Sequence, residues 1–160
     1  MTSEPMRLPA TISGGAILLF LMAIHASAVP ATSQESPAQA LGKIRSMAES
    51  QHEIVMLLIQ KKEYEQSLVE AAKIFDMKWP VDQEPLLLKE LKLISDKFLQ
   101  EKQAPLALRL LESNAKVFKT NAGQVYILKE KGYLYKSMNE TDKAVECFRQ
   151  ALELEKKAPG

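Results

Sequence analysis

The chain has 160 residues, 46% of them hydrophobic and 26% charged, with a formal net charge of +1. That composition fits one globular domain and excludes a disordered or collagen-like chain, and the near-zero charge excludes a global field that would draw the protein to nucleic acid or an anionic membrane. A single cysteine, Cys147, excludes an intrachain disulfide framework and a cysteine-rich zinc site.

At the N-terminus, Arg7 and a Ser13-Gly14-Gly15 break precede an unbroken apolar run from Ala16 to Ile24. Ala26-Ser27-Ala28 then sets small residues at the two positions a signal peptidase reads. A weakly basic start, a short apolar centre and an A-x-A end resemble a Sec-type secretory signal peptide over residues 1–28. The resemblance implies export, periplasmic or secreted. The alternative is a membrane anchor over residues 12–28, but a spanning helix needs about 20 apolar residues and the unbroken run is about half that. No cysteine follows the cleavage position, so a lipid tether is not expected. Residues 29–40, VPATSQESPAQA, are small and polar with two prolines and read as a flexible linker.

From Leu41 onward Ala, Leu, Lys, Glu and Gln dominate, which predicts helices throughout. A first helix over Leu41–Gln60 offers Ile54, Val55 and Leu58 to a core, and a second begins near Glu63 with EYEQSLVEAAKIF. A third, about Pro85 to Lys102, carries Ile94 and Phe98 at core positions, with Ser95 at the place Gly132 takes in the last hairpin, and ALRLLESNAKVFKTN from Ala107 supplies a fourth. The fifth runs from about Gly123 to Met138, with Leu128, Gly132 and Tyr135 on one side. Asn139 to Asp142 form a turn whose side chains can cap the sixth helix, which sets Ala144, Phe148, Ala151 and Leu152 on one face.

Small residues at Gly132, Ala144 and Ala151 let two backbones approach, while Tyr135 and Phe148 fill the space beside that contact. This small/large pattern, within Val125–Pro159, resembles a tetratricopeptide repeat. Two departures stand out: Lys131 replaces the family's leucine before the glycine, and the helix-ending proline arrives late, at Pro159. Aligned on the second helix of each hairpin, Ser67, Ala107 and Ala144 recur at 40 and 37 residues, wider than the family's period of about 34. The extra residues are assigned to loops at Met77–Gln83 and Asn121–Gln124. The expected fold is all-α: a domain over 41–160 forming a short right-handed α-solenoid of about three hairpins, near 41–76, 85–120 and 123–156.

No catalytic constellation emerges. Once residues 1–28 are set aside, the one histidine is His52, in the polar stretch ESQHE, read as a solvated surface residue. Cys147 reads as a small apolar residue, with a redox or intermolecular-disulfide role as the alternative. Carboxylate pairs such as Glu63 with Glu65 and Glu153 with Glu155 read as solvated faces, and the glycines are too scattered for a phosphate loop. The expectation is a non-catalytic protein with no cofactor, metal, nucleic acid or small-molecule substrate.

The family resemblance implies a protein or peptide partner held in a concave groove lined by the first helix of each hairpin. The matching positions are Tyr126, Lys129, Tyr133 and Lys136 in the last hairpin, and Lys89, Lys92 and Asp96 in the middle one. In the first they are Glu49, His52, Met56 and Gln60. Four lysines interleaved with two tyrosines would suit an acidic segment, lysine as a point charge and tyrosine as an apolar wall with a polar tip. On the last helix Val145, Cys147 and Leu152 are expected to be partly uncovered, which invites a partner or self-association through the C-terminal hairpin.

Overall fold

The computed structural model describes residues 35–157. The expected signal peptide or anchor, residues 29–34 of the expected linker, and Pro159 lie outside the described residues. Six α-helices follow in order: α1 Pro37–Gln60, α2 Tyr64–Phe75, α3 Glu84–Gln100, α4 Ala104–Asn114, α5 Asn121–Ser137 and α6 Thr141–Lys157. Each odd-numbered helix packs on the next to form a hairpin, and successive hairpins stack through α1 with α3, α2 with α4, and α3 and α4 with α5. Among the described residues there is no strand, and the architecture is the short right-handed α-solenoid expected.

Local chemistry sets the helix starts. The Ser36 side chain accepts from the Gln39 amide at 3.2 Å, and the Gln39 side chain accepts in return from the Ser36 amide at 2.9 Å. With Pro37 at the first helical position this makes a full capping box, so residues 37–40, read as linker, belong to α1. Pro85 and Pro105 sit in the first turns of α3 and α4, where a missing amide costs nothing. Thr120 caps α5, its hydroxyl accepting from the Gly123 amide at 2.9 Å. Since α5 already begins at Asn121, the extra residues of that connection lie in the 3-10 turn Ala115–Val117 and the segment after it, not at 121–124.

The hairpin turns share one geometry. Lys62, Lys102 and Asn139 have φ of 63°, 61° and 61°, and they are 40 and 37 residues apart. After each, the next amide reaches back to the helix just ended: Glu63 to the Leu58 carbonyl at 2.9 Å, Gln103 to Phe98 at 2.8 Å, Glu140 to Tyr135 at 2.9 Å. Asn139 therefore closes α5 rather than capping α6. The same offsets relate the buried small residues Ser67, Ala107 and Ala144, so the three hairpins share one turn geometry and one packing register.

The core runs through all three hairpins. Val55, Ile59, Ile74 and Phe75 come from the first, Leu91, Ile94, Phe98 and Leu111 from the second, and Ile127 and Leu134 from the third. Ile54 is exposed, contrary to expectation, because Val55, Leu58 and Ile59 form the inward stripe and turn it outward. One buried acid ties hairpins together: Glu84, at the head of α3, accepts from the Lys119 amide at 2.7 Å, the Thr120 amide at 3.1 Å and the Thr120 hydroxyl. Burial alone would raise its carboxyl, but these hydrogen bonds outweigh it and hold the pKa below the usual glutamate value.

Candidate interaction surface

The first helices of the hairpins lie side by side, α1 beside α3 and α3 beside α5. Between α1 and α3 opens a cleft of about 550 Å³. Its floor is apolar: Ile74, Trp79, Leu86, Leu87 and Leu93. Trp79 is fixed by donating its indole N–H to the Ile74 carbonyl at 2.8 Å, while Leu86 and Leu93, seven apart on α3, stay exposed. The rim is polar, with Arg45, Glu49, His52, Glu53 and Glu90. Arg45 donates to the Gln83 side chain at 2.6 Å. Three rim carboxylates against one guanidinium leave the cleft mouth acidic.

His52 is not a solvated surface residue. It is half-buried, and its Nδ1 lies 2.5 Å from Glu90 Oε1 across the α1–α3 gap. ESQHE is polar as a string, but the helix turns His52 and Glu49 into the cleft. No local signal marks Glu90 as its partner, since the two lie 38 residues apart.

The lysines and tyrosines do not gather into one cationic patch. Lys92 is 3.0 Å from Asp96 and 3.9 Å from Glu130 of α5. The hydrogen bond to Asp96 is the main reason its pKa is raised, with Glu130 adding to it. Tyr126 is pushed up to about 12, chiefly by burial and then by Glu130 and Asp96. Burial likewise raises the Glu130 carboxyl, against the pull of Lys92. Lys129 turns to α6, 2.6 Å from Glu155, and the exposed Tyr133 ring meets Phe148 edge-on at 5.1 Å. Lys89 and Lys136 are exposed, and neither forms an ion pair with another described residue within 4.0 Å.

The packing residues of the last hairpin meet closely. A Cβ on Gly132 would stand 2.8 Å from the Phe148 ring, and Ala144 and Ala151 are buried residues of α6. Tyr135 carries the Lys143 ammonium 5.3 Å above its ring. Lys131, in place of the expected leucine, reaches Glu112 of α4 at 3.0 Å. Cys147 is buried, not uncovered, and burial raises its thiol pKa. Among the described residues no group of three or more His, Cys, Asp or Glu side chains is placed to hold a metal ion.

The family model for the tetratricopeptide repeat matches residues 125–157, most of α5 and all of α6. With the three-hairpin architecture, this match supports a tetratricopeptide-repeat protein, and repeats of this kind are generally non-catalytic scaffolds that bind protein partners. Comparison with curated proteins and with solved structures gave no match.

Proposed function

We propose that the chain is an exported scaffold that holds a segment of a partner protein in the cleft between α1 and α3. The observation that carries this reading is the pair of exposed leucines, Leu86 and Leu93, set beside Trp79 under an acidic rim. An apolar side chain of the partner would fill the floor, and a neighbouring lysine or arginine would meet Glu49, Glu53 or Glu90. An acidic segment, expected from the lysines, is less well served, because Lys92 and Lys129 already have carboxylate partners. Export rests on the N-terminal sequence alone; among the described residues no helix is long and apolar enough to cross a membrane.

The test is affinity capture from cell-envelope extract with the full chain, beside a Leu86→Asp/Leu93→Asp variant and one with Lys89, Lys92, Lys129 and Lys136 changed to Glu. A protein retained by the parent and the lysine variant but lost with the leucine variant supports the cleft. Loss with the lysine variant alone returns the site to the α3–α5 lysines. N-terminal sequencing of the cellular protein checks export: a start at Val29 fits removal of residues 1–28, and retention of Met1 fits an anchor.

A further inference from the structure

Two apolar faces at opposite ends of the helix array are exposed, and the repeat register says what belongs on each. On α1 the face is Met47, Ile54 and Leu57, at 52%, 44% and 55% exposure; on α6 it is Val145 and Leu152, at 47% and 49%. The offsets of 40 and 37 residues, fixed by the left-handed turns at Lys62, Lys102 and Asn139, identify the equivalent positions in the other hairpins.

Val145 corresponds to Leu68 and Leu108, and Leu152 to Phe75 and Ala115. Phe75 is in the core, and Leu68, Leu108 and Ala115 pack against it. Between them on α6 lies Arg149, equivalent to Glu112, which bonds Lys131 of the following hairpin. In the first two hairpins, then, this stripe of the second helix receives the hairpin that follows.

The α1 face is the other half of the same contact. Met47 and Ile54 correspond to Leu87 and Ile94 of α3, both in the core. Glu90, on the same face of α3, bonds His52 of the preceding hairpin. In α5, Ile54 and Leu57 correspond to Lys131, which bonds the preceding hairpin, and to buried Leu134. Lys97, equivalent to Leu57, pairs instead with Glu101, and Gln124, equivalent to Met47, is exposed. The contact with the preceding hairpin therefore runs through the Leu87, Glu90 and Ile94 positions of α3 and the Lys131 and Leu134 positions of α5.

We propose that copies of this chain stack head to tail, the Val145–Leu152 face of α6 in one copy resting on the Met47–Ile54–Leu57 face of α1 in the next. The junction repeats between molecules the packing of α4 on α5 that joins the second hairpin to the third, so it extends the solenoid and the groove along it. Because the two faces differ, the contact is heterologous: each copy keeps one unused face and can add another, giving a ring or an open array. It does not depend on what the α1–α3 cleft binds.

The test uses the full chain and two surface variants, Val145→Glu/Leu152→Glu and Ile54→Lys/Leu57→Lys, all at exposed positions. Circular dichroism establishes that each keeps its helix content. Sedimentation velocity over a concentration series is expected to show the parent growing to multiples of the single-chain mass and each variant staying at that mass. An equimolar mixture of the two variants restores one junction only, and is expected to sediment as a dimer. A parent that stays monomeric throughout overturns the proposal. So does a helix-intact variant that pairs with itself, since that is a like-face contact, or a mixture that stays monomeric while the parent assembles. Association that survives both pairs of substitutions overturns it too, and assigns assembly to residues 1–34 or another surface.

Discussion

The carboxylate of Glu84 occupies the space that a side chain on Gly123 would need: a Cβ there would collide with Glu84 Oε1. Glycine at the first turn of α5 thus admits a buried acid from the head of α3, which accepts the amides of Lys119 and Thr120 in the connection just before α5. Glu84→Gln is expected to cost about 1–3 kcal/mol near neutral pH, as for a charge-assisted bond lost in a buried site. Gly123→Ala, which in an ordinary helix interior gains about 1 kcal/mol, is expected to lose stability here because the carboxylate must move. Urea denaturation of both variants measures this.

The same carboxylate gives a pH dependence. Its pKa in the folded protein lies below the usual value, so the unfolded chain binds the proton more readily. The stabilisation is therefore present above about pH 4.3, the unfolded value, and is lost as pH falls through the lower folded value. Denaturation midpoints along an acid series should fall in the parent and fall less steeply in Glu84→Gln; parallel curves would refute the assignment.

Gly132 and Phe148 make a second close approach, at 2.8 Å from a notional Cβ to the ring. Gly132→Ala is expected to destabilise by about 1–3 kcal/mol, since added volume must displace a ring packed between α5 and α6. Combining it with Phe148→Leu should cost less than the sum of the two single changes, because the smaller side chain leaves room for the methyl group. Additive losses would show that the two positions do not share this contact.

This contact was legible in the sequence, because packing between adjacent helices leaves a local pattern of small and large residues. So were the six helices and the repeat offsets of 40 and 37. What lay out of reach depends on partners far along the chain. His52 reads as solvated until Glu90, 38 residues away, comes to meet it. Glu84 reads as one more surface acid until the α4–α5 connection closes over it. The lysines read as a cationic groove because a sequence gives their number and spacing but not the carboxylates of Asp96, Glu130 and Glu155 beside them.

Cys147 offers a test of the redox alternative. Burial raises its thiol pKa; Lys131 pulls the other way, while Glu146 and Glu112 add to the rise. Thiolate, the reactive form, is therefore scarce near neutral pH, and the folded protein shields it. Alkylation is expected to be slow in the folded chain and fast once urea unfolds it. Rapid modification without denaturant would reopen a redox or intermolecular-disulfide role.

The left-handed turns carry the last prediction. An L-residue held at positive φ costs about 1–2 kcal/mol relative to its preferred region; glycine avoids most of that, and asparagine tolerates it better than lysine. Lys62 and Lys102 hold this conformation with a side chain poorly suited to it, whereas Asn139 is already a tolerant residue. Lys102→Gly and Lys62→Gly should each raise stability by about 1 kcal/mol, lifting the melting temperature by several degrees, and Asn139→Gly should gain less. Thermal denaturation of the three variants decides it. Because the three turns occupy one position of the repeat, a lysine-to-glycine loss at either site would mean that the hairpin there does not close as the other two do.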